Sequence, residues 1–310
     1  MSGKNISTQI LVIKLSALGD FVQALGPMKA IRDHHTDAQI TLLTTAPYAD
    51  LGRATGYFHQ VWVDDRPSVF NLSAWWSLRR RLGGAGFARV YDLQTSSRSN
   101  FYYRALFGEK PEWSGVASGC SHPHNNPQRD FIHTLDRQRE QMERAGIEQV
   151  PLPSLDWADT DLSRLGLTDR FGLLVPGGAA HRPAKRWPID AYGDLSCRLD
   201  AAGVQPIVIG APGEESLGQE ISQVCPSARD LVGQTSLTEL AALACRAELA
   251  IGNDTGPMHM AAVAGCRTIV LFSGESDPTL CAPRGSQVKI LRRDNLADLP
   301  IATVVGELEL

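Results

Sequence analysis

Short runs of Val, Ile, Leu and Thr alternate with amphipathic stretches from one end of the 310-residue chain to the other. That alternation satisfies itself as parallel strands covered by helices, so the fold class it implies is α/β. The spacing predicts strands at residues 9–15, 39–45, 60–64 and 89–94 in the first half. In the second half it predicts them at 171–175, 205–210, 229–232, 249–252, 268–272 and 288–291. Between the early strands Phe21, Leu25 and Met28, then Ala24, Met28 and Ile31, recur at helical spacing, as Phe131, Leu135, Gln138 and Met142 do later. Periodicity stops between 146 and 159, where Pro151 and Pro153 stand among acidic residues. A linker is expected there, dividing the chain into two similar α/β halves, 1–158 and 159–310.

Composition narrows the partners. Thirty-four acidic against 30 basic residues give a net charge of −4, without the basic excess of a general nucleic-acid binder. No apolar run approaches the roughly 18 residues that a membrane span or the shorter core that a signal peptide requires, so a cytoplasmic protein is expected. The six cysteines include no Cys-x-x-Cys pair and no histidine at zinc-ligand spacing. They are expected to be mostly small buried apolar residues, and no metal site is expected.

The most informative segment is Gly252-Asn253-Asp254-Thr255-Gly256-Pro257-Met258-His259, which leads from a strand into Ala261, Ala262, Val263 and Ala264. It reads as a strand, a tight polar turn and a helix start. Thr255 or Gly256 can cap, Pro257 suits the first turn, and the exposed amides with the helix dipole suit a phosphate. By itself the motif reads better as a plain capped helix. Two further loops shift the balance. The segment 176–188 begins Pro176-Gly177-Gly178, follows a strand and carries His181, Arg182, Lys185 and Arg186. Ligands of open α/β sheets bind at such carboxyl-end loops. Lys185 can neutralise a diphosphate as a point charge, or be a solvated loop charge. The segment 210–215 presents Glu214 and Glu215, either to accept hydrogen bonds from ribose hydroxyls or to favour a helix N-terminus. Three such loops in one half-chain favour a nucleotide site.

In the first half, the strand ending near Leu15 runs into Ser16-Ala17-Leu18-Gly19-Asp20. Asp20 reads both as the cap of a helix beginning at Phe21 and as a base that takes a proton from an incoming hydroxyl. No Gly-x-Gly-x-x-Gly follows this strand, and neither a P-loop nor a Gly-x-Ser-x-Gly elbow occurs anywhere, which weakens dinucleotide oxidoreductase, P-loop and hydrolase readings. Asp159-Thr160-Asp161 has the Asp-x-Asp spacing with which two carboxylates can share a hard cation. Its place beside the linker, before Leu162-Ser163-Arg164-Leu165, favours capping instead.

Together, Lys14-Leu15-Ser16-Ala17-Leu18-Gly19-Asp20, Asp92-Leu93-Gln94 with Ser97-Arg98-Ser99, Lys185-Arg186-Trp187-Pro188, and the 252–259 turn occur in an order that resembles the ADP-heptose:lipopolysaccharide heptosyltransferases of glycosyltransferase family nine. The resemblance covers nearly the whole chain. It implies a GT-B fold, two Rossmann-like domains facing across a cleft, with the acceptor on residues 1–158 and the nucleotide sugar on 159–310. It implies Asp20 as general base, Lys185 facing the donor diphosphate, Glu214 at the ribose, and Asp254, Thr255, Gly256, Pro257 and His259 in the donor turn. It implies no cofactor, and ADP-heptose and a lipopolysaccharide-core glycan as partners. Another donor sugar, a protein acceptor, or a nucleotide-sugar-binding or epimerising protein of the same fold remain the alternatives.

On this reading Asp254 avoids the phosphates and pairs with a sugar hydroxyl or a loop amide. Arg98 holds an anionic acceptor group such as a phosphate or a Kdo carboxylate, or is a surface arginine. Residues 120–127, which include His122 and His124, are expected to form a mobile loop over the acceptor. Trp75, Trp76, Arg79, Arg80 and Arg81 either rest on anionic inner-leaflet lipid, peripherally, or form a solvated face; the acidic balance of the chain favours the latter.

Overall fold

The computed structural model describes residues 7–68, 70–106, 108–178 and 183–308. The chain divides into two compact units, Met1–Trp157 and Ala158–Leu310. The first runs β1 (Gln9–Ile13), α1 (Leu18–Gln23), α2 (Leu25–His34), β2 (Gln39–Thr44), α3 (Ala46–Ala54), β3 (Gln60–Val63), α4 (Leu72–Gly84), β4 (Phe87–Asp92), α5 (Ser97–Ala105), β5 (Glu112–Gly115), β6 (His122–Pro123) and α6 (Thr134–Arg144). The second runs β7 (Phe171–Val175), α7 (Ile189–Ala201), β8 (Gln205–Val208), α8 (Glu215–Val224), β9 (Arg229–Asp230), α9 (Leu237–Arg246), β10 (Leu249–Asn253), α10 (Gly256–Val263), β11 (Arg267–Phe272), α11 (Pro278–Cys281), β12 (Val288–Arg292) and α12 (Ile301–Gly306).

Each unit contains one six-stranded sheet, ordered β3-β2-β1-β4-β5-β6 in the first and β12-β11-β10-β7-β8-β9 in the second, with every pairing parallel. Parallel strands covered on both faces are apolar along their whole length, and β1 and β7 are buried at nearly every position. Counted within its own unit, each sheet has the doubly wound order 3-2-1-4-5-6. The order reverses between β1 and β4 and between β7 and β10, and crevices at the carboxyl ends of those pairs are the ligand sites of such sheets. All ten expected strands are present: β1, β2, β3, β8 and β9 end one or two residues early, β4 is shifted two residues toward the N-terminus, and β10, β11 and β12 are each one residue longer.

Several expectations are corrected. The segment 120–127 is not loop throughout: His122 and Pro123 pair with Ser114 and Gly115 as a two-residue edge strand, and the His124 amide donates to the Gly115 carbonyl at 2.7 Å. Phe131 lies in a single 3₁₀ turn and is exposed, because α6 starts only at Thr134. Only Cys120, Cys225 and Cys266 are buried; Cys197 and Cys245 are exposed and Cys281 is intermediate. The capping expected beside the linker is met by Asp161, which accepts from the amide and hydroxyl of Ser163, both at 2.9 Å, at the start of one 3₁₀ turn.

The segment that follows α6 packs on α2 through Gly26. A Cβ at Gly26 would stand 2.2 Å from the Pro151 carbonyl oxygen, closer than any side-chain carbon approaches backbone. Gly26→Ala is therefore expected to destabilise the protein by about 1–3 kcal/mol, even though alanine outranks glycine in a helix by about 1 kcal/mol. Urea unfolding measures this; a variant as stable as the parent would show that the segment moves aside freely.

Candidate active site

In the first unit the switch point gathers side chains from the ends of β1 and β4. The Gln94 carboxamide Oε1 accepts from the amides of Leu15 and Ser16, at 2.8 and 3.1 Å, and so ties the loop leading to α1 onto the loop after β4. Asp92 Oδ1 accepts from the amides of Gln94 and Thr95, at 3.1 and 2.9 Å. This turn holds Thr95 at a φ of 45°, in the left-handed region, and Arg129 Nη2 donates to the Thr95 hydroxyl at 2.7 Å. Burial raises the Asp92 carboxyl to about 6 despite those amides and the nearby Lys14. Lys14 is itself buried, which lowers its ammonium, and it donates to the Leu93 carbonyl at 3.2 Å.

Above this floor, Lys14, Asp20, Gln94, Thr95, Arg129 and Arg137 line a cavity of about 70 Å³. Asp20 is half-buried and occupies the third position of α1; Ala17, not Asp20, is the cap, because the helix begins at Leu18. Among the described residues its Oδ2 receives a single long contact, 3.4 Å from the Ala17 amide. One carboxylate therefore stands among three cationic side chains, a setting suited to an anionic ligand that brings its proton donor to Asp20.

Arg98 is not in this cavity. Its Nε donates to Asp64 at 3.2 Å and to the Tyr102 hydroxyl at 2.7 Å, and its guanidinium lies 5.0 Å from the Trp75 ring centre. Tyr102 also donates to Asp64. Arg129 and Arg137, which sequence reasoning passed over, are the arginines beside Asp20. They lie on or just before an ordinary-looking helix more than 100 residues downstream, and only the parallel fold brings them to the carboxyl end of β1.

In the second unit, Asn253 organises the switch point and is fully buried. Its Nδ2 donates to the carbonyls of Pro176 and Gly177, at 2.8 and 3.1 Å. Its Oδ1 accepts from the Trp187 amide and the Tyr192 hydroxyl, at 3.0 and 3.2 Å. One side chain so joins the loop after β7, the start of α7 and the turn into α10. Glycine is required beside it: a Cβ at Gly252 would stand 2.5 Å from the Val175 Cβ.

Glu214 reaches across two of these loops, accepting from the Gly178 amide at 3.0 Å and the Ala211 amide at 2.9 Å, with Arg186 3.5 Å away. A Cβ at Gly177 would collide with that carboxylate at 2.4 Å. Glu215 instead folds onto the Gly213 amide at 2.9 Å, inside its own turn, so Glu214 is the acid facing the Gly-rich loop. Lys185 Nζ and Asp254 Oδ2 form an ion pair at 2.8 Å, both largely shielded from water. This corrects the partner expected for Asp254: the nearest polar group is the lysine ammonium, not a loop amide. Thr255 caps α10 by position, while its hydroxyl turns to the Asn253 carbonyl at 3.2 Å. Gly256 and Pro257 fill the first turn and His259 is buried in the helix. The expected His181 and Arg182 lie outside the described residues.

Among the described residues there is no cluster of three or more His, Cys, Asp or Glu able to hold a metal, and no helix long and apolar enough to cross a membrane. The arrangement offers one half-buried carboxylate among cations in one unit, and in the other a lysine, a Gly-rich loop and a helix N-terminus, groups of the kind that hold a phosphate.

Comparison with known proteins agrees with this arrangement. The sequence is similar to lipopolysaccharide heptosyltransferase 2 of Salmonella typhimurium, 32% identical over 120 residues, covering 37% of this chain and 34% of that protein. The chain thus aligns with about a third of the length of that relative. Lipooligosaccharide heptosyltransferase 2 of Campylobacter jejuni is 27% identical over 294 residues, 91% of this chain and 86% of the relative. The structure of Escherichia coli ADP-heptose lipopolysaccharide heptosyltransferase II superposes with a TM-score of 0.81 at 19% identity, covering 97% of both chains. It has the GT-B fold of two Rossmann-like domains, which this chain shares. The profile of Glycosyltransferase family 9 (heptosyltransferase) matches residues 75–303, well over half of the sequence, and the chain belongs to that family.

Proposed function

We propose that this chain is an inverting glycosyltransferase that moves heptose from ADP-heptose onto a hydroxyl of a lipopolysaccharide-core or related glycan acceptor. The observation that carries the reading is Asp20, a carboxylate with one weak contact standing among Lys14, Arg129 and Arg137 at a sheet's switch point. Residues 1–158 take the acceptor and 159–310 the donor. Asp20 removes the proton of the acceptor hydroxyl, whose oxygen bonds to the anomeric carbon as the bond from that carbon to the diphosphate oxygen breaks. The electron pair leaves on ADP, and the anomeric centre inverts in one displacement. Lys185, with the amides at Thr255–Pro257 and the Gly177–Gly178 loop, stabilises the charge growing on the diphosphate. Glu214 keeps lone pairs for ribose hydroxyls, Asp254 keeps Lys185 in place, and His259 packs beneath the turn.

An anionic group on the acceptor, a phosphate or a sugar carboxylate, is held by Arg129 and Arg137, with Arg98 supporting the wall from its pair with Asp64. Such an acceptor is lipid-linked, so the protein works in the cytoplasm against the inner face of the membrane. The family membership and the similar heptosyltransferases support heptose as the sugar.

Lys185→Ala is expected to weaken ADP binding and slow transfer together, by about 1 kcal/mol if the contact is screened and several times more if it is desolvated. Calorimetric titration with ADP and steady-state rates measure the two effects, and unchanged values in both would leave the lysine only a partner of Asp254. Transfer is expected to persist in EDTA, because fixed cations and amides occupy the diphosphate side. The reading is tested by acceptor-dependent nucleotide release from ADP-heptose and from UDP and GDP sugars, each with and without chelator. Release from ADP-heptose alone, indifferent to EDTA, supports it; a requirement for magnesium or manganese, or a preference for another nucleotide, overturns that part of it.

A further inference from the structure

The acidic chain carries one strongly basic stretch: residues 66–108 contain seven arginines and a single acid, the buried Asp92. The fold gathers part of this charge around side chains that water would not select. Phe70 is 89% exposed, Leu72 68%, Trp76 64% and Phe101 47%. Leu72, Trp76 and Arg80 fall at intervals of four on α4 and share one stripe. The Arg79 guanidinium lies 4.7 Å from the Trp76 ring centre. Phe101 packs edge-on against Trp75 at 4.8 Å, which fixes α5 beside α4, and Arg104 follows three residues later. Arg81 belongs to the other side of the helix, over Trp62 at 4.0 Å. Between Trp76, Arg79, Arg80 and Leu106 runs a groove of about 640 Å³.

We infer that this α4–α5 face docks on the surface of an anionic bilayer, with Leu72 and Trp76 entering the headgroup region and the arginines meeting lipid phosphates. Aromatic and aliphatic side chains beside arginines, on a helix too polar to span, are the composition of an interfacial helix. Charge complementarity selects the occupant: seven arginines against one buried acid over residues 66–108 repel the same face of a second copy, so a partner must bring the negative charge, and exposed Phe, Leu and Trp suit acyl chains better than a nucleic-acid backbone. The inference deepens the membrane part of the proposed function, and its test uses neither donor nor acceptor, so either can fail alone.

The full chain is floated with vesicles of phosphatidylcholine alone or of phosphatidylcholine with phosphatidylglycerol. Flotation is expected with the anionic vesicles only, weakening as salt rises. Arg79→Glu with Arg80→Glu should lower partitioning by roughly 30-fold or more, and Trp76→Ser should lower it severalfold. Arg246→Glu, at an exposed arginine ending α9, should leave it unchanged and controls for net charge. Quenching of tryptophan fluorescence by lipid brominated along its chains should be lost in Trp76→Phe, which distinguishes insertion from loose attraction. Equal binding to both vesicle types, no binding to either, equal loss in Arg246→Glu, a dimer abolished by Trp76→Ser, or an oligonucleotide competing fully with the vesicles would each overturn the inference.

Discussion

Asp20→Ala is expected to lower transfer by about 10²–10⁴-fold, the usual contribution of a positioned general base, while ADP affinity stays within a few-fold of the parent. The asymmetry follows from where the residue stands. Asp20 lies in the first unit among Lys14, Arg129 and Arg137, and the groups proposed to hold ADP all belong to the second. Removing the carboxylate also leaves those cations less neutralised, so an anionic acceptor should bind at least as well while turnover collapses. Single-turnover rates and calorimetric titration with ADP, on protein checked for an unchanged unfolding midpoint, separate the two quantities. Comparable losses of binding and rate would recast Asp20 as a residue that only orders the start of α1.

Asn253→Asp is expected to have the largest structural effect of any single isosteric change in the donor unit. The two acceptor contacts, from Trp187 and Tyr192, survive the substitution. The two donor contacts do not: a carboxylate oxygen then faces the Pro176 and Gly177 carbonyls in a fully buried place. Lost bonds and a buried charge should together cost about 3 kcal/mol or more. ADP should bind at least tenfold more weakly, a loss of about 1.4 kcal/mol, because the Gly-rich loop loses its anchor. The sign with pH is fixed as well. Burial raises the carboxyl of the new aspartate above its unfolded value, so its neutral form, with one O–H to donate, recovers stability as pH falls and loses it as pH rises. Urea unfolding across pH with parallel ADP titration checks both, and a variant equal to the parent at every pH would show that Asn253 is not the brace.

The sheets were legible because buried parallel strands are apolar through their interiors, as at residues 10–13 of β1, 171–175 of β7 and 269–272 of β11. The edge was not. Glu112, Trp113, Ser114 and Gly115 have no periodicity, and β6 is two residues long. The donor loops declared themselves through Gly, Pro and Lys after strands, since those residue types answer to local backbone demands. Arg129, Arg137, Gln94 and Asn253 answer instead to partners distant in sequence. Gln94 meets Leu15 and Asn253 meets Pro176, separations of 79 and 77 residues. The protein partner of Asp254 was hidden for the same reason: Lys185 is 69 residues away in a different loop. Arg98 looked like an acceptor contact from its place after β4, but the side chain is drawn to Asp64 at the end of β3.

On the proposed mechanism, one carboxylate in the first unit drives a single inverting displacement of ADP from ADP-heptose. It is tested most directly by the product: purified protein, ADP-heptose of defined anomeric configuration and a Kdo-bearing lipid A acceptor, with the new linkage read by mass spectrometry and nuclear magnetic resonance. The expected result is addition of one heptose with the anomeric centre inverted, ADP formed in equal amount, and no product from Asp20→Ala. A retained anomeric configuration, or a nucleotide sugar isomerised with no mass gained by the acceptor, would contradict it.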